Sequence, residues 1–163
     1  MSELDTAKKR AMYLLGGKDY SRIELIEKLK KNYSEENAVK AADFMCEYGY
    51  VDDRRYAEKL ARNYIAGRKY GKSRAALMMR QKGLDHEIIE EALAAYSKED
   101  ITEEIAEILR KKYIDRLFLP GLEGKKEMQK IVAALARRGY SYGDIKSALY
   151  LLQDEIEETE EDE

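Results

Sequence analysis

The residue types that ordinarily do chemistry are sparse in this chain and do not assemble into a catalytic set. Cys46 is the only cysteine and His86 the only histidine. A thiol nucleophile needs a base beside it. No such base is identifiable near Cys46, which lies among Phe44, Met45 and Tyr48 on an expected helix and reads as a small buried apolar residue. His86 follows a helix cap, so a surface position is expected, and any metal site or acid–base pair would have to be built around it alone. Asp52-Asp53 is a carboxylate pair, but helix capping and the offsetting of Arg54 and Arg55 account for both. Gly67-Arg68-Lys69-Tyr70-Gly71-Lys72-Ser73 ends like a phosphate-binding loop. It has one residue too few between its glycines for a Walker motif and no preceding strand, so it reads as a basic turn. No catalytic residue, metal or cofactor is expected, and the chain reads as a non-enzyme.

Charge is where the sequence departs from uniformity. Residues 52–84 hold ten Lys/Arg against three Asp/Glu, a local net charge of +7 in a chain whose total is −3. Such a concentration fits a polyanion or an acidic protein surface. Its bland counterpart is a solvated helix face, since long charged side chains ordinarily coat helices. Ten bases against three acids favours contact. Tyr50, Tyr56, Tyr64 and Tyr70 could stack on nucleobases. The spacing by four through positions 56, 60 and 64 assigns them to packing instead, with Tyr70, beside the glycine-flanked turn, as the exception.

The elements that carry these residues are helical. Charged residues make up 39% of the 163-residue chain, proline occurs once, and Ala, Leu, Glu, Lys and Arg dominate, a composition of helices with much exposed surface. The longest uncharged apolar run, Ile131–Ala136, is far short of the ~20 residues that span a bilayer. A single cysteine and no signal-like opening predict a soluble protein of the reducing cytoplasm, and a monomer is expected.

Apolar residues recur at three- and four-residue spacing in successive short segments. Ala7, Ala11, Leu14 and Leu15 form the first, stopped by Gly16-Gly17. Ser21-Arg22-Ile23-Glu24 is a capping box opening the second, and Ser34 caps the third. Asp52 or Asp53 starts a helix with the stripe Tyr56, Ala57, Leu60, Ala61, Tyr64 and Ile65, which leaves Arg55, Lys59 and Arg62 facing solvent. Ser73 is expected to cap the next, Asp85 the one after, and Asp100 the one beginning at Ile101. Pro120 interrupts the pattern. Helix resumes from Lys125 to Arg138, and Ser141 caps a last segment. Asp154 to Glu163 contains eight acids and no base, which predicts a disordered tail or at most a frayed continuation of the helix.

Asn32-Tyr33-Ser34, Gly83-Leu84-Asp85 and Gly139-Tyr140-Ser141 superpose as helix stop, large apolar residue and cap. Their spacing defines a tandem array of three three-helix repeats, 1–51, 52–97 and 98–153, with 154–163 as the tail. The expected fold is all-α, an elongated and curved array whose central repeat carries the positive charge.

Gly49-Tyr50-Val51-Asp52-Asp53-Arg54-Arg55-Tyr56-Ala57, with Tyr70-Gly71-Lys72-Ser73-Arg74 and Gln81-Lys82-Gly83-Leu84 beyond it, resembles the signature of the RecX family, bacterial regulators of the RecA recombinase. Ser21-Arg22-Ile23-Glu24-Leu25 and Leu135-Ala136-Arg137-Arg138-Gly139-Tyr140-Ser141 resemble its first and third repeats, so the resemblance covers about Ala7–Leu149, with Ile114–Gly124 outside the pattern. It implies a non-enzymatic modulator, an inhibitor, that lies in the groove of the RecA–single-stranded DNA filament and lowers ATP hydrolysis, strand exchange and co-protease activity in recombination and the SOS response. The residues expected to meet the filament or DNA are Arg54, Arg55, Arg62, Arg68, Lys69, Tyr70, Lys72, Arg74, Arg80 and Lys82. Weak direct contact with single- or double-stranded DNA is compatible with that surface, and no membrane is involved. The alternative is a helical nucleic-acid-binding module, its three-helix repeats resembling helix-turn-helix domains, that acts without RecA.

Overall fold

The computed structural model describes residues 1–162. Among them are nine α-helices and no strand: α1 (Glu3–Gly17), α2 (Arg22–Leu29), α3 (Glu35–Glu47), α4 (Asp53–Arg62), α5 (Lys72–Gln81), α6 (His86–Leu93), α7 (Lys98–Ile108), α8 (Gly121–Arg137) and α9 (Tyr142–Asp162). π-Helical turns follow α4 and α7, at Asn63–Gly67 and Leu109–Tyr113. The all-α architecture expected from periodicity is the one observed.

Capping explains why the helices start where they do. Ser21 and Glu24 form the anticipated reciprocal box at α2, Ser34 caps α3, and Asp52, of the two candidates, caps α4 through the Arg55 amide at 3.1 Å. The chain has two further boxes, Ser2 with Asp5 at α1 and Ser97 with Asp100 at α7. The second corrects an expectation: Asp100 is not the cap of α7 but the third helical residue, and its carboxylate receives the Ser97 amide at 3.0 Å. Helix α5 also begins two residues earlier than a Ser73 cap would place it. Gly71 stands at its cap position, its carbonyl accepting the Ala75 amide at 3.0 Å, while Ser73 is inside the helix and exposed. Helix α8 starts at Gly121 rather than Lys125, immediately after Pro120, where the missing proline N–H costs nothing.

The chain packs as two compact units, and the boundary between them runs through α5. The first comprises Met1–Asn63 and Ala76–Leu93; the second comprises Tyr64–Ala75 and Ala94–Glu163. In the first unit α3 packs on both α1 and α2, and α4 packs on α6. Ala7 and Ala11 of α1 and Ala38, Ala41 and Ala42 of α3 are fully buried in one core with Leu25, Leu29 and Met45. Alanine at those positions lets the α1 and α3 backbones come close. In the second unit α9 packs on α7 and α8, burying Ile101, Ile105, Ile131, Leu135, Ile145 and Leu152.

The acidic end of the chain, expected to be poorly ordered or to continue only as a frayed helix, is helical among the described residues. Helix α9 continues through Asp162, with Glu155 held by Arg110, whose Nε lies 3.0 Å from one carboxylate oxygen. Ile156 is half-buried, so the apolar stripe persists into the acidic segment, whereas residues 157–162 are exposed. Glu163 lies outside the described residues.

Candidate partner-binding surface

Each packed unit contains five of the ten residues singled out in the sequence, so they are taken unit by unit. In the first, Arg54 and Arg55 rise from the first turn of α4 and Arg62 from its last, all exposed because Ala57, Leu60 and Ala61 take the buried side. Arg54 pairs with Glu91 of α6, and Arg55 donates to the Gly49 carbonyl at 3.3 Å. Arg80 is exposed near the end of α5. Lys82 is only half-buried and is tied to structure: its ammonium lies 4.0 Å from Glu24, and its carbonyl accepts the Ser21 hydroxyl. Asp53 also belongs to the framework. Its carboxylate receives the Arg22 amide at 2.9 Å, and burial raises its pKa above the usual carboxylate value.

In the second unit the basic turn is held from beneath. Lys69 has φ 57°, a left-handed conformation unusual for a residue with a side chain. Its carbonyl accepts from Arg138 Nε at 3.0 Å and from the Tyr140 hydroxyl at 2.9 Å, and the Arg68 carbonyl accepts from Arg138 Nη2 at 2.7 Å. Lys69 also reaches the half-buried Glu104 at 3.5 Å. Burial raises the Glu104 carboxyl above its ordinary range, with the Lys69 ammonium pulling the other way. Burial and the neighbouring Glu104 likewise raise the Tyr140 phenol. Lys72 donates to the Tyr96 carbonyl. Tyr70 is half-buried beneath the Arg74 guanidinium, 4.1 Å from its ring centroid, a cation–π arrangement. Arg68 and Arg74 are exposed.

The ten residues are therefore not equivalent. Arg54, Arg55, Arg62, Arg68, Arg74 and Arg80 present guanidinium groups to solvent, while Lys69, Tyr70, Lys72 and Lys82 are half-buried and bonded to their own unit. Tyr70 is not the exposed tyrosine of the stretch; Tyr50 is, at 52%. Arg138, Tyr140 and Glu104, which fix the turn, were not among the residues chosen from the sequence. The signal for them was thin: Arg138 and Tyr140 lie in a string with a family resemblance, and nothing in it names a contact 70 residues upstream. His86 is exposed, 3.5 Å from Glu90 one turn on, and Cys46 is half-buried with burial raising its thiol pKa. Among the described residues no group of three or more His, Cys, Asp or Glu is placed to hold a metal, and no helix is long and apolar enough to cross a membrane.

The fold is all-helical among the described residues, and the arginines of the basic stretch are its exposed members. Family models extend that description. Residues 52–93 match the second three-helix domain of RecX, and residues 99–149 match the third. The chain is 32% identical over 147 residues to the regulatory protein RecX of Vibrio parahaemolyticus, covering 88% of this chain and 90% of that one. It is 34% identical over 144 residues to the RecX of Xanthomonas axonopodis pv. citri, covering 88% and 85%. Against the RecX of Clostridium botulinum strain Alaska E43 it is 34% identical over 119 residues, 73% of this chain, and spans only 55% of that relative's length. The crystal structure of RecX from Lactobacillus salivarius superposes with a TM-score of 0.80 at 22% identity, over 93% of this chain and 97% of that one, and so shares the fold. The chain belongs to the RecX family.

Proposed function

We propose that the protein is a cytoplasmic modulator of the RecA recombinase that binds in the groove of the RecA–single-stranded DNA filament and inhibits its ATPase, strand-exchange and co-protease activities. Through them it acts on recombination and the SOS response, without chemistry of its own. Membership of the RecX family carries this reading. The exposed guanidinium groups support it, because arginine pairs in two-point fashion with carboxylates and phosphates, the groups that a nucleoprotein filament displays. Titrating the protein onto preformed filaments while following ATP hydrolysis tests it. Inhibition saturating near one protein per few RecA protomers is the expected outcome. Loss of hydrolysis only in proportion to DNA sequestered by the protein alone would favour a nucleic-acid-binding module that acts without RecA.

A further inference from the structure

The basic turn of the second unit does not hold its own shape. Lys69 keeps a left-handed φ of 57° although it carries a side chain, a conformation that the local chain disfavours in residues other than glycine, asparagine and aspartate. One side chain at the end of α8 imposes it. Arg138 is half-buried and directs Nε to the Lys69 carbonyl at 3.0 Å and Nη2 to the Arg68 carbonyl at 2.7 Å. The peptide between those carbonyls is planar, so the φ and ψ of Lys69 are the only free rotations that separate them. A rigid guanidinium fork that grips both carbonyls therefore sets both rotations at once. The Tyr140 hydroxyl adds a second donor to the Lys69 carbonyl at 2.9 Å. Among the described residues no carboxylate pairs with Arg138, whose charge is spent on main-chain oxygen. Hydrogen bonds from an ionised donor are the strong ones.

The fixed turn is passed on to the arginines that face solvent. Arg68 stands at one end of the gripped peptide, its guanidinium 5.9 Å from the Tyr64 ring centroid. The Tyr64 and Tyr70 centroids are 6.3 Å apart, and Arg74 lies over Tyr70 while reaching the Arg137 carbonyl at 3.5 Å. A point charge offered to an acidic surface would need none of this order. A two-point bond from guanidinium to carboxylate or phosphate does need it, because the fork must arrive in the right plane. A group ordered before binding also loses less freedom when it binds.

We infer that Arg138 is a positioning residue of the filament contact: it holds Arg68 for a two-point bond to the partner and does not touch the partner itself. This role rests on the RecA reading above.

Inhibition of ATP hydrolysis by RecA–single-stranded DNA filaments, measured with the full chain, tests it together with amide hydrogen exchange in the absence of RecA. Arg138→Ala should lower inhibitory potency about five-fold. Arg138→Lys keeps the charge but loses the fork, and should lower potency as much. In an Arg68→Ala background neither change should alter potency by more than about 1.5-fold, because the positioned group is gone. Exchange of the Tyr70 and Gly71 amides should speed up at least about ten-fold in both Arg138 variants. Thermal melts verify folding, and if an Arg138 variant fails to fold, Tyr140→Phe carries the same comparison: it removes one hydroxyl, keeps the ring, and should cost about two-fold in potency only where Arg68 is present. Full potency of the Arg138→Lys protein, a loss that persists undiminished beside Arg68→Ala, or unchanged exchange at Tyr70 and Gly71 would each overturn the positioning role while a potent parent leaves the RecA reading standing. No inhibition by the parent would contradict that reading and this role with it.

Discussion

The main chain of Gly71 lies directly against that of Gly139. A Cβ on Gly71 would sit 2.2 Å from the Gly139 carbonyl carbon, and the Gly71 amide donates to the neighbouring Arg138 carbonyl at 2.8 Å. Both ends of this contact belong to the second unit and dock the basic turn onto the end of α8. Backbone cannot yield as a flexible side chain does. Gly71→Ala should therefore cost about 2–3 kcal/mol in denaturant unfolding, and a change below about 0.5 kcal/mol would show that the turn is not held this tightly.

Ser21 plays the corresponding part in the first unit. It is fully buried, its oxygen accepts the Glu24 amide at 3.1 Å, and its hydroxyl donates to the Lys82 carbonyl at the start of the Gly83 turn. Ser21→Ala removes a helix cap and leaves a carbonyl without its donor, which should together cost about 2–3 kcal/mol. Ser21→Thr keeps the hydroxyl and should recover part of the loss. Equal stability of the alanine variant and the parent protein would contradict the cap-and-bridge role.

The contrast between these two residues shows how far the sequence could be read. Ser21 was legible as a cap because the Ser-x-x-Glu pattern is local, and the same holds for Ser34, Asp52 and the helix stripes. Its second bond, to a carbonyl 61 residues away, has no local pattern. Gly71 was legible only as a turn residue, since what it approaches lies 68 positions further on. For the same reason the positive charge of 52–84 was visible as a total, but the partial burial of Lys69, Lys72 and Lys82 within it was not. The stripe Leu152 and Ile156 leads the last helix into the acidic segment, but nothing local names Arg110 as the partner of Glu155. Long charged side chains in a helical protein pair across the fold, and periodicity does not report the partner.

Glu104 gives the second unit a pH dependence of definite sign. Burial raises its folded pKa above the ordinary 4.5, so the folded chain binds its proton more readily than the unfolded one. The associated stabilisation is fully present below the ordinary value and is lost as pH rises through the raised one. Glu104→Gln removes this linkage. The stability of the parent protein minus that of the variant should fall between about pH 4 and pH 7. A difference that stays level or grows across that range would contradict the burial of this carboxyl.

The acidic end supplies a control on what its helix contributes. Residues 157–162 are exposed, and the last anchored groups of α9 are Glu155 and Ile156. Truncation after Ile156 should change unfolding free energy by less than about 0.5 kcal/mol. A larger loss would mean that the acidic turns are docked.

Arg62 and Arg68 are exposed and, unlike Lys72 or Lys82, neither side chain makes a hydrogen bond or ion pair among the described residues. Reversing both to glutamate should leave the melting transition within a few degrees of the parent, because surface changes of this kind cost about 0.5 kcal/mol or less each. The central claim, that exposed guanidinium groups of the basic stretch engage the RecA filament, is tested most directly by the ATP hydrolysis rate of RecA–single-stranded DNA filaments titrated with the parent protein and with R62E/R68E. The account predicts strong inhibition by the parent and a loss of at least about ten-fold in inhibitory potency for the folded variant. Equal inhibition by both, or no inhibition by the parent at a stoichiometric excess over RecA, would contradict it.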